Sequence, residues 1–508
     1  MALQENAKLM FESVVTGVYM ENKTLKGISF FSHEKIWNFS CDILIDATAE
    51  AEICNMAGCL VNYGRKTDGK TRPFTSVKVF LNKDTNIGRT NHDSGYVSQY
   101  NPSELSKGIM DAHLSQLLDE FQDDVEKVLF LAPLIGIREG RLIESERNIT
   151  MDDILTDKLD EDVLFYAYSD FDKHGKDNVL ETETLQDWYV ASNLSTACLS
   201  VPVGIRAMVP KGFQSIIAAG RHMGLDHDAA SLVRMKRDMH KCGEAAGICA
   251  ALAVRKGIQP LDIPYDEIRP KLEATGCLQE AHNVAICFDD NFRREKINWL
   301  IEPDDIKAEL STDMPGIALY SCKLLGNKIS NNLKEWLKSS DIALRYNSAV
   351  ALGLIGDRFA APYLREIVIN RDAFFYKDCR RTNQLRSAIA IYLLGKLCDS
   401  KSLDLFDEIL CSKDEYQRGL YHEITAPSYK FNTNKSFNEV YYQIMVYSAM
   451  AVVNIMEKDA SVGERCIKIL KEAFKDDYHV KNVTSLPENT YEYEVFGNVK
   501  NYVKSIIK

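Results

Sequence analysis

Three stretches of this 508-residue chain carry residue types at spacings that could do chemistry. The first is Ile45-Asp46-Ala47-Thr48-Ala49-Glu50-Ala51-Glu52, where an apolar run ends in Ala-Thr and a further small residue. Small residues at the end of a buried strand let a ligand come close to the backbone. The second runs from Val209 to Arg221, with a strand-like 215–219 segment stopping at Gly220-Arg221. In open α/β sheets ligands bind at the carboxyl ends of strands. There a glycine permits close approach and an arginine can neutralise phosphate. The third is the 234–253 segment, in which Gly243, Ala246, Gly247, Ala250 and Ala251 recur at helical spacing. They make a flat face suited to tight packing on a sheet or a ligand. The amino end of such a helix can direct its dipole at an anion. A glycine inside a helix costs about 1 kcal/mol against alanine, so a packing reason is expected for each. Taken singly, each stretch also fits an ordinary buried strand or core helix.

Other candidate chemistry is thinner. Residues 170–181 have the spacing of a calcium loop, with acids at its first, third and twelfth positions and glycine at its sixth. His174 at the fifth position is a poor calcium ligand, so a polar loop is the better reading and no metal site is expected. No Ser-His-Asp order or His-Glu-x-x-His zinc motif stands out. The 13 cysteines form no C-x-x-C pair, and their closest spacings are Cys54/Cys59 and Cys242/Cys249. That spacing supports neither a zinc ribbon nor an iron–sulfur cluster. It reads as reduced thiols of a cytoplasmic protein, among which Cys198 or Cys242 could be redox-active in principle.

The elements that must position these residues are legible in outline. Residues 12–47 read as β-rich runs split at Asn-Lys and His-Glu-Lys turns, followed by a short helix over 49–59. Residues 61–200 are mixed, with a strand at 76–81, a helix at 105–122, a strand in 125–134, and loops around 150–185. A long helix is expected from about Ser231 to Arg255, closed by Gly257. Beyond 300 strand signals fade. Helix–turn–helix layouts recur at 344–368 and, about 41 residues later, at 385–410, with looser copies at 315–337 and 441–474. Helix pairs at such a period stack into a solenoid, because one pair cannot bury its apolar face alone. The alternative is a non-repeating helical domain.

Composition narrows the function classes. With 45% hydrophobic and 26% charged residues the chain can build sizeable cores. A formal net charge of −12 disfavours nucleic acid and anionic membrane surfaces as partners. The amino terminus does not read as a signal peptide, and no apolar stretch reads as a transmembrane helix.

The ordered blocks 45–59, 136–154, 205–234 and 243–257 together resemble the FAD-dependent oxidoreductase family, over roughly residues 10–280. That family shares a broad flavoprotein relationship with the heterodisulfide reductase A subunit. The resemblance implies an α/β fold: a discontinuous FAD-binding, Rossmann-like flavoprotein fold from 1–60 and 201–280. A mixed α/β substrate region would be inserted at 61–200. A 281–304 linker and an all-α HEAT-like repeat domain over 305–508 would follow. The implied cofactor is FAD, with Thr48, Gly220, Arg221 and Gly247 along it. Arg138, Arg141 and His227 would face a small-molecule substrate and bind or deprotonate it. The two arginines could instead pair structurally with Glu139 or Glu144.

The chain departs from the family pattern twice. Ala47-Thr48-Ala49 replaces the usual Ala-Thr-Gly, and no G-x-G-x-x-G loop follows a first strand. The fold is therefore expected to lack its first βαβ unit. The implied function is flavin-dependent hydride transfer. The alternatives are a scaffold subunit that holds a protein partner through its helical repeats, or half of a split flavoenzyme completed by an amino-terminal chain.

Overall fold

The computed structural model describes residues 7–93, 95–123, 127–172, 174, 180–278, 286–288, 296–379, 383–412, 437–479 and 490–507. Half of the calcium-loop-like 170–181 segment lies outside the described residues. The chain divides into two compact units, each assembled from three separated stretches. The first unit joins Met1–Arg72, Ile137–Lys173 and Cys198–Ile286. The second joins Pro73–Gly136, His174–Ala197 and Cys287–Lys508.

In the first unit, strands Ser13–Glu21, Thr24–Ser32 and Lys35–Ser40 form an antiparallel sheet in chain order. The turns between them are Asn22-Lys23 (φ 48° and 64°) and His33-Glu34 (φ 49° and 61°). Two consecutive left-handed residues give a mirror-image turn whose twist matches that of the strands it joins. Beside this sheet, Leu44–Asp46 pairs in parallel with Ile216–Ala218, register Leu44–Ile216, Ile45–Ile217 and Asp46–Ala218. Ile216, Ile217 and Ala218 are all fully buried. A strand covered on both faces needs such an unbroken apolar run.

One side of the pair belongs to a core of Leu25, Ala51, Ile53, Cys54, Cys59 and Ile143. The Lys236–Lys256 helix packs on both strands and on the strand Val163–Asp170. Its buried face is Cys242, Ala245, Ala246, Cys249, Leu252 and Ala253. It ends at Gly257 in the left-handed conformation. The helix starts later than the sequence indicates. Asp226 Oδ1 accepts from Ala229 N at 2.7 Å and closes Ala229–Ser231 into a separate 3₁₀ turn.

Much of the described part of 150–185, expected as loops, is regular structure. Met151–Thr156 is a helix with a capping box, in which Thr150 and Asp153 satisfy each other's backbone N–H groups. Val163–Asp170 is a strand buried on both faces and pairs antiparallel with Ala197–Gly204. The acids around it mask the apolar run in the sequence.

In the second unit, Thr75–Leu81 lies between antiparallel strands Ile87–Asp93 and Lys127–Leu131, with helix Pro102–Asp123 against them. From Pro303 onward the described elements are helical. Ile342–Ile355 and Ala361–Ile369 are joined by a Gly356-Asp357 turn, and Arg386–Lys396 and Leu403–Cys411 follow with the same layout. Ile342–Ile355 packs on Ala361–Ile369, Leu403–Cys411 packs on Phe437–Lys458, and Arg386–Lys396 lies between Ala361–Ile369 and Phe437–Lys458. Asp187 is fully buried and accepts from Lys323, Lys396 and the Tyr392 hydroxyl. It ties the single-turn π-helix Asp187–Ala191 to these helices. No helix among the described residues is long and apolar enough to cross a membrane.

Gly224 marks where the first unit is most tightly closed. A Cβ there would sit 1.9 Å from Ser145 Oγ and 2.7 Å from Asn148 Oδ1. Its backbone bonds to Ala207 and Ile149, so the loop cannot move aside. Gly224→Ala is expected to destabilise the first unit by about 1–3 kcal/mol, read as a lower urea midpoint. An unchanged midpoint would show that the 145–148 turn yields freely.

Candidate functional site

The parallel pairing places the end of one strand beside the end of another that is far away in sequence. Asp46 closes the first strand and is fully buried. Its Oδ1 accepts from Thr48 N at 3.0 Å and from Thr48 Oγ1 at 2.6 Å, and its Oδ2 accepts from Cys54 N at 3.0 Å. Burial alone would raise this carboxyl's pKa. The hydrogen bonds from Thr48 and Cys54, with the nearby His222, hold it below the ordinary carboxylate value. Thr48 Oγ1 in turn accepts from Glu52 N at 2.9 Å. Asp46 and Thr48 thus shape the whole 46–54 turn and start the Glu52–Met56 helix.

That turn holds Ala49 at φ 67° and Ala51 at φ 53°. Left-handed backbone costs a residue with a Cβ about 1 kcal/mol. Ala49 is where the family pattern carries glycine, which takes this conformation without strain.

Across the pair, Ala219 N donates to Asp46 O at 2.8 Å and leads into Gly220-Arg221-His222. A Cβ on Gly220 would come within 2.9 Å of His222 Nδ1 and 3.9 Å of Ala49 Cα. Arg221 pairs with Glu50, 171 residues away in sequence. The His222 ring is wholly buried, with Nε2 at 3.8 Å from Asp46 Oδ1, and neither ring nitrogen makes a hydrogen bond of normal geometry. Burial pushes the His222 pKa down, and the Arg221 cation pushes the same way against the pull of Asp46 and Glu50. His222 is therefore neutral at pH 7.

A second cluster forms around Glu139, which is buried in the same unit. Its Oε1 lies 2.9 Å from His227 Nδ1, and its Oε2 accepts from Arg72 N at 2.8 Å. Arg72 Nη2 donates to His227 O at 3.1 Å and reaches Asp228 Oδ1 at 3.5 Å, while its guanidinium lies over the Phe171 ring. Arg234 donates to Asp172 Oδ2 at 2.6 Å. Burial lowers the Arg234 pKa, and the neighbouring Arg138 and Arg72 cations add to that effect.

The structure thus brings Thr48, Gly220 and Arg221 to one place. Arg141 adjoins it, because it pairs with Glu52 at 3.1 Å. Glu144 pairs with Lys211. His227 and Arg138 belong to the second cluster. The Lys236–Lys256 helix reaches the first cluster at Cys242, whose thiol lies against the Gly220 backbone. Burial pushes that thiol up to about 12, so Cys242 carries no thiolate at neutral pH.

Gly247, one helical turn beyond, does not pack as the sequence suggests. A Cβ on Gly243 or Gly247 would meet nothing within 4 Å. The alanines and cysteines on the opposite face make the tight contact, so the glycines look onto open space. His222 and Arg72 escaped the sequence reading, and Asp46, Glu50 and Glu139 entered it without the roles the structure gives them. The usable signal was an acid closing an apolar strand two residues before a threonine, the pattern of an Asx turn.

Comparison with known proteins adds one finding. A family model described as FAD dependent oxidoreductase matches residues 1–107 and 111–272. No curated protein and no solved structure matches the chain.

Two measurements test the site's energetics. Ala49→Gly should raise stability by about 1 kcal/mol, seen as a higher urea midpoint; no change would mean the turn is not strained. For pH, the folded pKa of His222 lies below its unfolded value near 6.5. The unfolded chain therefore takes up the proton first, and stability falls as pH drops below about 6.5. The depressed Asp46 adds a second loss as pH falls through the carboxylate range. His222→Gln cannot charge and should flatten the first fall. A profile identical to that of the parent chain would assign the fall to other groups.

Proposed function

Because the chain belongs to the FAD dependent oxidoreductase family, we propose that it transfers hydride between bound FAD and a small organic substrate. The observation that carries this reading is the parallel pairing of Leu44–Asp46 with Ile216–Ala218. It sets a small-residue turn and a Gly-Arg pair at the same carboxyl edge, where open α/β sheets take their ligands. In this reading Thr48, Gly220, Arg221 and Gly247 line the FAD.

The residues present fit such a group. Gly220 leaves the 49–50 backbone uncovered by any side chain of its own. Gly247 and Gly243 offer a bare helix face with open space in front of it. Arg221 is a partly exposed cation. FAD, when bound, supplies the hydride-accepting and hydride-donating chemistry. The chain's part is to hold and screen it. Arg221, held in place by Glu50, offers its remaining guanidinium N–H groups to the flavin side.

In the same reading Arg138, Arg141 and His227 serve the substrate. With Glu139 accepting from Nδ1–H of His227, Nε2 carries the lone pair and can take a substrate proton. Arg138 and Arg141 offer guanidinium forks for a substrate carboxylate or carbonyl. We read the unit of 1–72, 137–173 and 198–286 as the flavin-holding part, akin to the heterodisulfide reductase A subunit. We read the helices of 305–508 as HEAT-like repeats. Three of their turns begin alike: Asp357, Asp399 and Asp459 each precede a 3₁₀ turn. Thirteen cysteines without a C-x-x-C pair suit the cytoplasm.

The purified chain, incubated with FAD and desalted, should keep the visible flavin bands. A chain that retains no added FAD sinks the reading. Gly247→Leu makes the role of the helix face explicit. Leucine meets open space and improves helix propensity, so stability should hold or rise by up to about 1 kcal/mol. FAD affinity should nevertheless fall at least about tenfold. Undiminished FAD binding in a stable Gly247→Leu chain would remove that face from the cofactor site.

A further inference from the structure

Far along the chain from these clusters, the second unit holds a pocket of about 300 Å³ between two consecutive helix pairs. The turn after Ile342–Ile355 and the turn after Arg386–Lys396 form its walls. The two turns are built alike: a left-handed residue (Gly356 or Cys398), then an aspartate, then a 3₁₀ turn. Each aspartate is neutralised by a cation from one helix back. Asp357 takes Lys334 at 2.6 Å and Ser330 Oγ at 2.9 Å. Asp399 takes Arg365 and Ser402 Oγ.

Two further cations, Arg358 and Lys401, line the same pocket and are exposed. Neither has a carboxylate partner among the described residues. Nearby Arg345, Lys377, Arg386 and Lys396 each have one. Three cations facing one already engaged carboxylate leave two positive charges unbalanced, on a chain whose net charge is −12.

We propose that this pocket binds a phosphate dianion. Two uncompensated cations match a doubly charged oxyanion. Guanidinium forks suit its tetrahedral oxygens, and the lysine adds a point charge. The volume lies at the small end of ligand pockets and admits a phosphate monoester but no large cofactor. The phosphate can be that of a free small ester or of a phosphorylated side chain on a partner.

The test uses the full chain. Inorganic phosphate is titrated calorimetrically at low ionic strength into the parent chain and into Arg358→Gln/Lys401→Gln. Both replaced side chains are exposed, so the melting temperature should not move. Saturable binding that weakens at least about tenfold in the double variant supports the proposal. Cys398 lines the pocket and localises the effect. Phosphate should slow alkylation of Cys398 in the parent and leave it unchanged in the variant. This separates the pocket from any phosphate taken up at the flavin site. No saturable heat, equal affinity in both chains, or unprotected Cys398 overturns the proposal. Competition by glycerol phosphate and by a phosphoserine peptide then identifies the source, by which of the two displaces inorganic phosphate at lower concentration.

Discussion

The first unit depends on one buried carboxylate. Removing a charged group from water costs several kcal/mol unless donors replace the lost hydration. Asp46 receives three such donors, from Thr48 N, Thr48 Oγ1 and Cys54 N. Those bonds fix the 46–54 turn, force Ala49 and Ala51 into left-handed backbone, and orient Glu50 toward Arg221. The same residue's carbonyl receives Ala219 N from the neighbouring strand. Side chain and main chain of a single residue therefore hold both halves of the candidate flavin edge. The small residues around them can stay small because they need not supply the holding themselves.

The Glu139 cluster works by a different principle. Arg72, Glu139 and His227–Asp228 come from the three separate stretches that make up the first unit. Their charges are almost completely withdrawn from solvent. Such a network contributes little net stability against an apolar replacement, but it tolerates few alternative arrangements. It fixes how the three stretches meet. Asp187 plays the corresponding part in the second unit, where two lysines and a tyrosine converge on it.

How much of this was legible in the sequence depended on the range of the interaction. The hairpins at Asn22-Lys23 and His33-Glu34 are local, and turn residues between apolar runs reveal them. Ile216–Ala218 is an unbroken apolar run and reads directly as a buried strand. The helices beyond 300 announce themselves by the helical spacing of their apolar residues. Val163–Asp170 did not, because Asp160, Glu161, Asp162, Asp170 and Asp172 crowd an apolar core of only a few residues. Glycines in the long helix were read as contact points, yet the contact lies on the alanine and cysteine face. A glycine marks a place where a side chain is absent, and the sequence does not say whether protein or open space fills it. The Arg221–Glu50 pair and the His222–Asp46 approach lay beyond any local pattern, since each joins residues of two distant strands.

The parallel strand pair also has a consequence for how the protein is made. A ribosome adds about 5–20 residues each second. Leu44–Asp46 must therefore wait on the order of ten to thirty seconds for Ile216–Ala218 to emerge. During that interval Leu44 and Ile45 have no partner strand, and the Asp46 carboxylate has only its local donors. The nascent chain carries an unsatisfied strand edge, the feature that invites pairing with other chains. Contacts so distant in sequence also slow the search for the native arrangement, because loop closure precedes any reward. This edge thus forms only after more than two-fifths of the chain has been made, and until then it is a part of the young chain that a chaperone would usefully cover.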